Sequence, residues 1–428
     1  MLDIRFIREN SESVKENASN KGYEIDLEGI LRLDSDRRNM IVEIEQLREQ
    51  RNEISKSKEH SEKRIAEAKG IREKLGGLEN ELAKVEKNLN AEIRKVPNLA
   101  LKEVPIGKSE EENVVVNSVG EKTEFDFEAK NDEELGELNG FIDKTRAAKV
   151  AGSRFVYLKG SLVRLQFAII QMVMDTLTNE EIIKKIIENK KLNIKSTPFT
   201  MVIPPNLIRT EPYMASGRLD SEEVTYKLAD DELWLNASAE HSLCTMYMNE
   251  KLDESQLPIR MLGYSTSYRR EAGSYGKDME GIFRMHQFDK LEMEVFSTAS
   301  TGLDEHKLLV GIQEYLMQQL ELPYRVVQKC TADIGKPNAQ GIDIDTWMPA
   351  QKNYRETHTA DYMTDYQARS LNVKVKLSNG ETELAHTNDA TAFALGRILK
   401  AILENNQTRE AKIKVPKALV KYYGAEEL

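Results

Sequence analysis

Between residues 27 and 97 the apolar positions fall in a seven-residue rhythm. Leu33, Met40, Leu47 and Ile54 lie seven apart; further on, Leu75, Leu82, Leu89 and Val96 repeat the spacing, interleaved with Ile71, Leu78 and Val85. Such spacing keeps one apolar stripe along a helix, so each run predicts a long helix with a single seam. The polar stretch SKSKEHSEKR separates the runs, and no proline interrupts them before Pro97. The pattern predicts an N-terminal antiparallel two-helix coiled-coil arm over about 27–97, each leg of about 33 residues reaching ~50 Å. Two legs sharing one narrow seam enclose no globular core, so the arm should project from its domain. Arg37 and Arg51 fall at seam-like positions, where a long stem lies along the stripe and keeps its charge in water.

The sequence VPNLALKEVPIG (96–107) breaks the helical pattern with two prolines and a glycine, marking a boundary between domains at 1–100 and 101–428. Beyond it, Leu135–Lys149 and Leu162–Leu177 read as helices, and Phe199–Ile203 reads as a strand ending at Pro204-Pro205. Alternation predicts strands at Ile282–Phe296, Ile342–Met348, Val373–Leu377 and Glu383–Thr387. A terminal helix over Thr391–Glu404 carries Leu395, Ile398, Leu399, Ile402 and Leu403 on its apolar side. Strands joined in hairpin fashion with few helices between them predict an α+β fold, an antiparallel sheet flanked by helices rather than a wound parallel one.

At 428 residues, the chain has room for roughly two to four domains. With 31% charged and 40% hydrophobic residues, it is too apolar for wholesale disorder and too polar for a membrane bundle. Leu162–Leu177, the most apolar run, is broken by Arg164, Gln166, Gln171 and Asp175. MLDIRFIREN lacks the apolar region of a signal peptide, so a cytoplasmic location with no membrane partner is expected. Cys244 and Cys330 do not suffice for a disulfide framework, and the six histidines show no ligand spacing, so no structural zinc is expected. The net charge of −11 argues against indiscriminate coating of DNA. Its distribution is uneven, however. Residues 98–428 carry 51 acidic against 41 basic side chains, whereas 27–97 carry 15 against 16, and the distal part, 48–74, carries 6 against 9. That basic surplus suits either a solvated helix face or a contact with a phosphate backbone.

There is no GxxxxGK[ST] loop, GxGxxG fingerprint or GxSxG elbow. The informative stretch is SYRREAGSYGKDMEGIFRMHQFDKLEMEVF (267–296). On a strand over 282–296, one face presents Arg284, His286, Phe288, Lys290, Glu292 and Glu294. A guanidinium, a ring and a carboxylate on one face suit a phosphate, a flat base and an ammonium group; the same charges also suit an exposed sheet face. Phe288 and Glu292 would lie ~13 Å apart, roughly the length of an aminoacyl-adenylate. Arg269-Arg270-Glu271 precede a glycine-bearing loop, where an arginine fork can clamp a phosphate. In HTNDATAFALGR (386–397), the small residues Ala390, Ala392, Ala394 and Gly396 would let a ligand approach the start of the terminal helix. Asp389 or Thr391 would cap that helix, and Arg397 would lie within it. Glu356, in YRETHTADY, is either a metal-facing carboxylate or an ion-pair partner.

After the helical arm come FTMVIPPNLIR, SAE (238–240), YRREAG (268–273), RMHQFDKLE (284–292), YRET (354–357) and ALGRILKAILEN (394–405). This succession resembles the seryl-tRNA synthetases, which are class II aminoacyl-tRNA synthetases, over essentially the whole chain. The resemblance implies a class II catalytic domain that joins L-serine to ATP as seryl-adenylate and then passes the seryl group to the 3′ end of tRNA(Ser), with tRNA(Sec) a further candidate. It implies that Arg269 holds the α-phosphate within an ATP loop shared with Arg270 and Glu271, that Arg284 contacts the triphosphate, that Arg397 faces the ATP, and that Phe288 stacks on adenine. Glu356 then holds Mg2+, with Thr357, His358 and Thr359 beside it on the ATP. Serine falls to Ser238, Ala239, Glu240, Arg269, Glu292 and Thr391. Such chemistry needs positioning and charge neutralisation more than a protein nucleophile.

The resemblance also implies that the arm reads tRNA by shape and backbone, and that the protein is a homodimer with Pro205 at its interface. The sequence departs from the family pattern in places. SAE stands for TAE, RETHTADY for REISSCSN and HTNDATA for HTLNGSG, with Asp389 for an asparagine and Thr391 for a serine. The alternatives are a paralogue that activates a small amino acid for a non-tRNA acceptor and an inactive binding paralogue. The arm weighs against the first, and the presence of Arg269, Glu292 and Arg397 against the second.

Overall fold

Four helices precede the proline-rich break: α1 (Ile4–Glu9), α2 (Ser11–Asn20), α3 (Leu27–Lys56) and α4 (Glu62–Ile93). The computed structural model describes residues 1–56, 62–219, 225–271 and 281–428, and the chain divides into two units, Met1–Leu99 and Ala100–Leu428. Residues 57–61, within the polar stretch between the arm helices, lie outside the described residues. At 30 and 32 residues, α3 and α4 are each about 45–48 Å long.

Their seam is built as the heptads predict, from Ile44, Leu47 and Leu75 with Ile71, Leu78 and Leu82 packed against them. Ion pairs Arg48–Glu79 (2.8 Å), Glu43–Lys74 (2.7 Å) and Arg37–Glu86 (3.3 Å) flank it and fix the pairing of the two legs. Arg51, expected at the seam, is instead exposed. Asp34, buried near the base of α3, gathers Arg8 from α1 (2.6 Å) and Arg38 (3.1 Å), tying the short helices to the long pair.

The second unit is organised by one eight-stranded sheet. Its strands are β1 (Val114–Val119), β2 (Thr200–Val202), β3 (Ile259–Tyr268), β4 (Gln287–Ser297), β5 (Tyr324–Gln328), β6 (Gln340–Met348), β7 (Asn353–Thr364) and β8 (His386–Ala394). Their spatial order is β1-β5-β6-β7-β8-β4-β3-β2. Every neighbouring pair is antiparallel except the short edge strand β2, which runs parallel to β3. Leu291, Met293 and Val295 of β4 are fully buried in the main apolar core, which leaves Phe288, Lys290 and Glu292 for the opposite face. That core is closed by α7 (Ser161–Leu177), α9 (Gly302–Gln319) and α10 (Leu395–Asn405). The remaining helices used below are α5 (Asp132–Leu138), α6 (Lys144–Ala151) and the short α8 (Ala239–Leu243).

Four sequence expectations are corrected. The helix expected over Leu135–Lys149 is two helices, α5 and α6. Gly140, at φ +70°, turns the chain between them, and Ile142–Asp143 pairs with Tyr157–Leu158. The strand expected over Ile282–Phe296 starts only at Gln287. Residues 282–286 are held by single contacts instead, Ile282 N–H to Asp132 (2.7 Å) and the His286 carbonyl to Arg269 N–H (2.9 Å). Glu383–Thr387 straddles two elements, Thr382–Leu384 in a small separate sheet and the start of β8.

The fourth correction matters most. HTNDATAFA is a central strand, and α10 begins only at Leu395, after Ala394, with no side-chain cap from Asp389 or Thr391. The small residues serve packing. Ala390 and Ala392 are fully buried beneath α9. From α9, Gln313 donates to the carbonyls of Thr359 (2.8 Å) and Thr391 (2.9 Å), an approach that larger strand side chains would block.

Candidate active site

Strand β3 ends at Tyr268, and the next residue is locked in place. Arg269 N–H donates to the His286 carbonyl (2.9 Å), and the His286 Nδ1 atom lies 2.8 Å from the Arg269 carbonyl oxygen. This double tether sets the entry to the loop whose residues 272–280 lie outside those described. Arg269 Nε donates to the Ala237 carbonyl (3.1 Å), and its guanidinium lies 5.4 Å over the ring of Phe288. Glu271 accepts from Arg284 Nη1 (3.1 Å), while the Arg270 guanidinium lies 5.2 Å over the ring of Tyr226.

From α10, Arg397 donates to the Glu356 carboxylate (2.7 Å) and its backbone carbonyl (3.1 Å), so one oxygen of Glu356 is ion-paired. Arg397 and Arg355 both lie over Phe283, at 5.0 and 5.5 Å. Gly396 is required here, because a Cβ would stand 2.5 Å from the Ile282 carbonyl oxygen.

These side chains line a cleft that opens into a cavity of about 760 Å³ walled by Arg325, Lys329, Asp343, Glu356, Arg355 and Arg397. Burial and the nearby Arg397 lower the Arg269 guanidinium from its ordinary value, with Glu271 opposing. Against the cost of burial, Arg397 and Lys329 hold the Glu356 carboxyl well below the usual range. Two guanidiniums that disfavour each other across one cleft favour a polyanion between them.

Deeper along β4, Glu292 stands directly opposite Thr391 of β8, next to a register shift at Leu291. Ser238 caps α8 by accepting from Glu240 N–H (3.3 Å), and its hydroxyl donates to Glu292 (3.1 Å). Lys290 forms an ion pair with Glu292 and reaches the Ser238 hydroxyl at 3.4 Å. Burial raises the Glu292 carboxyl, and Lys290 opposes that. Behind it, Glu294 is fully buried with neither carboxylate oxygen hydrogen-bonded among the described residues, and burial pushes its carboxyl up. The result is a buried cluster of hydroxyls and acids adjoining the arginine-lined cleft.

The structure thus brings together Arg269, Glu271, Arg284, Phe288, Glu356, Thr357, Thr359, Thr391 and Arg397 at the cleft, with Ser238 and Glu292 adjoining. Three expected residues face elsewhere, Arg270 among them with its guanidinium over Tyr226. His358 is buried on the opposite face of β7 with its ring 5.3 Å from Phe393, and burial lowers its imidazole to about 3. Ala239 is buried in a core cluster with Leu243 and Met261, packed near Gly263. Thr357 lines the cleft, but its hydroxyl is taken by Thr346 (2.7 Å) and the Ile344 carbonyl (3.1 Å). Pro205 is exposed, with its carbonyl accepting from Ser242 (2.9 Å).

Comparison with known proteins is decisive at this point. Residues 1–100 match the seryl-tRNA synthetase N-terminal domain, and residues 224–406 match the tRNA synthetase class II core domain of the G, H, P, S and T enzymes. The serine–tRNA ligase of Thermodesulfovibrio yellowstonii is 36% identical over 438 aligned positions, covering 100% of this chain and 99% of that protein. The chain belongs to the seryl-tRNA synthetase family. The crystal structure of seryl-tRNA synthetase from Pyrococcus horikoshii complexed with ATP superposes with a TM-score of 0.90 at 36% identity, covering 100% of this chain and 99% of that one. The cytoplasmic serine–tRNA ligase of Naegleria fowleri in complex with AMP gives a TM-score of 0.85 at 26% identity, covering 100% and 98%.

Within this family framework, one support was invisible in the sequence. Asp132, at the start of α5, accepts from Lys400 of α10 (2.5 Å) and from Ile282 N–H (2.7 Å), while Glu133 accepts from Gly281 N–H (2.7 Å). Lys400 also pairs with Glu404 (2.7 Å), and all three side chains are almost fully buried. The two acids clamp the backbone just before Phe283 and Arg284. Asp132→Ala is expected to cost about 1–3 kcal/mol in urea unfolding and to raise the KM for ATP about tenfold in pyrophosphate exchange, because Arg284 loses its anchor. An unchanged KM would remove the clamp from the account of the site.

Proposed function

We propose that this chain is a serine–tRNA ligase that activates L-serine with ATP and transfers the seryl group to the 3′ end of tRNA(Ser). The observation that carries the reading is the cleft in which Arg269 lies over Phe288 and Arg397 over Phe283, with the Glu292–Thr391 pair adjoining. In the first step the serine carboxylate attacks the α-phosphorus of ATP and pyrophosphate leaves. Arg269 neutralises the α-phosphate while adenine stacks on Phe288, and Arg284 and Arg397 take the outer phosphates. In the second step the tRNA 3′-hydroxyl attacks the seryl carbonyl and AMP departs. Electrostatic stabilisation by fixed charges supplies the acceleration, and no covalent enzyme intermediate is needed.

Glu292 accepts from the serine hydroxyl with Thr391 across from it, and Ser238 orients Glu292. A site that hydrogen-bonds a substrate hydroxyl rejects the analogue lacking it strongly, so alanine is the poorer competitor and threonine must be excluded by shape. Glu356, paired to Arg397 through one carboxylate oxygen, would offer its other oxygen to Mg2+ alongside phosphate oxygens. When bound, magnesium supplies charge neutralisation for the pyrophosphate.

The arm is the tRNA-binding element, and tRNA(Sec) is a second acceptor by the same shape-based recognition. The protein works as a cytoplasmic homodimer through the surface around Pro205, where Ile203 is 82% and Leu207 41% exposed. No described helix is long and apolar enough to cross a membrane. Pyrophosphate exchange with serine, threonine, alanine and glycine tests the assignment. Exchange supported best by serine is expected, with alanine lower by about 10⁴-fold; a profile led by glycine or alanine would replace serine as the substrate.

A further inference from the structure

Behind the proposed serine pocket lies a charge cluster that the mechanism above does not use. Arg218 follows Gly217, whose φ of +77° turns the chain inward. Its Nε donates to Glu240 on α8 (2.5 Å) and its Nη2 to Asp389 on β8 (2.6 Å), with Asp361 of β7 at 3.7 Å. The three carboxylates are less than a tenth exposed. Asp361 and Asp389 are direct cross-strand partners, an arrangement of like charges that costs stability unless a cation sits on it. Arg218 is that cation, and through Nε it also grips the residue two positions after Ser238.

We infer that Arg218 is a positioning residue for amino-acid recognition: by bridging Asp389 to Glu240 it fixes α8, and with it Ser238 and Glu292, in the geometry that receives the ammonium and hydroxyl of serine. This rests on the reading of the pocket as the serine site. The electrostatics agree. Against the cost of burial, Arg218 holds the Glu240 carboxyl well below its ordinary value, while burial and Glu240 push Asp389 up. Glu240 in turn stands beside the Ser238–Glu292 hydrogen bond and not on the ATP side of the cleft.

The test is steady-state pyrophosphate exchange on the full chain. Arg218→Gln is expected to raise the KM for serine by about 10–100-fold, with kcat and the KM for ATP within about twofold of the parent. The double variant Arg218→Gln/Asp389→Asn replaces the charged grip by an amide pair and is expected to bring the serine KM back to within about fivefold of the parent. A parent-like serine KM in Arg218→Gln overturns the inference. If that variant does not fold, the double variant carries the test against the parent directly, and a folded double variant with its serine KM raised about 100-fold overturns it as well. Absence of serine-dependent exchange in the parent itself would instead overturn the serine reading.

Discussion

Arg269→Ala is expected to lower serine-dependent pyrophosphate exchange by about 10³-fold, through kcat more than through either KM. Arg269 has three supports: a backbone tether to His286, an Nε bond to Ala237 and the ring of Phe288 beneath its guanidinium. Such a group does not reorganise when charge develops on the phosphate, which is where fixed charges contribute most. Burial and the nearby Arg397 together lower its guanidinium, and a triphosphate bound between the two arginines would relieve their repulsion. Arg269→Lys keeps the charge but loses the planar fork, so it should recover only part of the loss. Near-normal exchange in Arg269→Ala would overturn the phosphate clamp.

Replacing residues 30–95 by a short flexible linker is expected to leave seryl-adenylate formation within about twofold while lowering tRNA charging by about 10²-fold or more. The cleft residues all belong to the second unit, so nothing they need for activation is removed. What is lost is a rod of two helices, held across its seam by ion pairs such as Arg48–Glu79, Glu43–Lys74 and Arg37–Glu86, with the basic surplus of residues 48–74 toward its distal end. Contacts to phosphates weaken with salt, so charging by the full chain should fall steeply with ionic strength while activation does not. Efficient charging by the shortened protein would remove the arm from tRNA recognition.

How much of this was legible in the sequence depended on how local each cause is. The arm was legible because a coiled-coil seam is written in one helix period. The faces of β4 were legible because strand alternation is strict, and Leu291, Met293 and Val295 are buried opposite Phe288, Lys290 and Glu292. His358 was misread for a countable reason. The register of β6 against β7 shifts at Ile344–Asp345, leaving Thr357 as an extra residue, so His358 turns to the core and Thr359 to the cleft. Residues 391–394 were misread because alanine favours helices, and pairing of that strand with a neighbour on each side overrides the local preference. Arg218, Asp132 and Lys400 gave no signal. Arg218 meets partners 22 and 171 positions away, and Asp132 meets Lys400 at a separation of 268. Only the fold brings such charges together.

We propose that one sheet face seats the activated amino acid along its length. A crystal structure of the protein with a non-hydrolysable seryl-sulfamoyl adenosine measures this directly. Adenine is expected on Phe288, the sulfamoyl group at Arg269 and the serine hydroxyl between Glu292 and Thr391. An analogue bound elsewhere, or bound here with its seryl end turned away from Glu292, would contradict it.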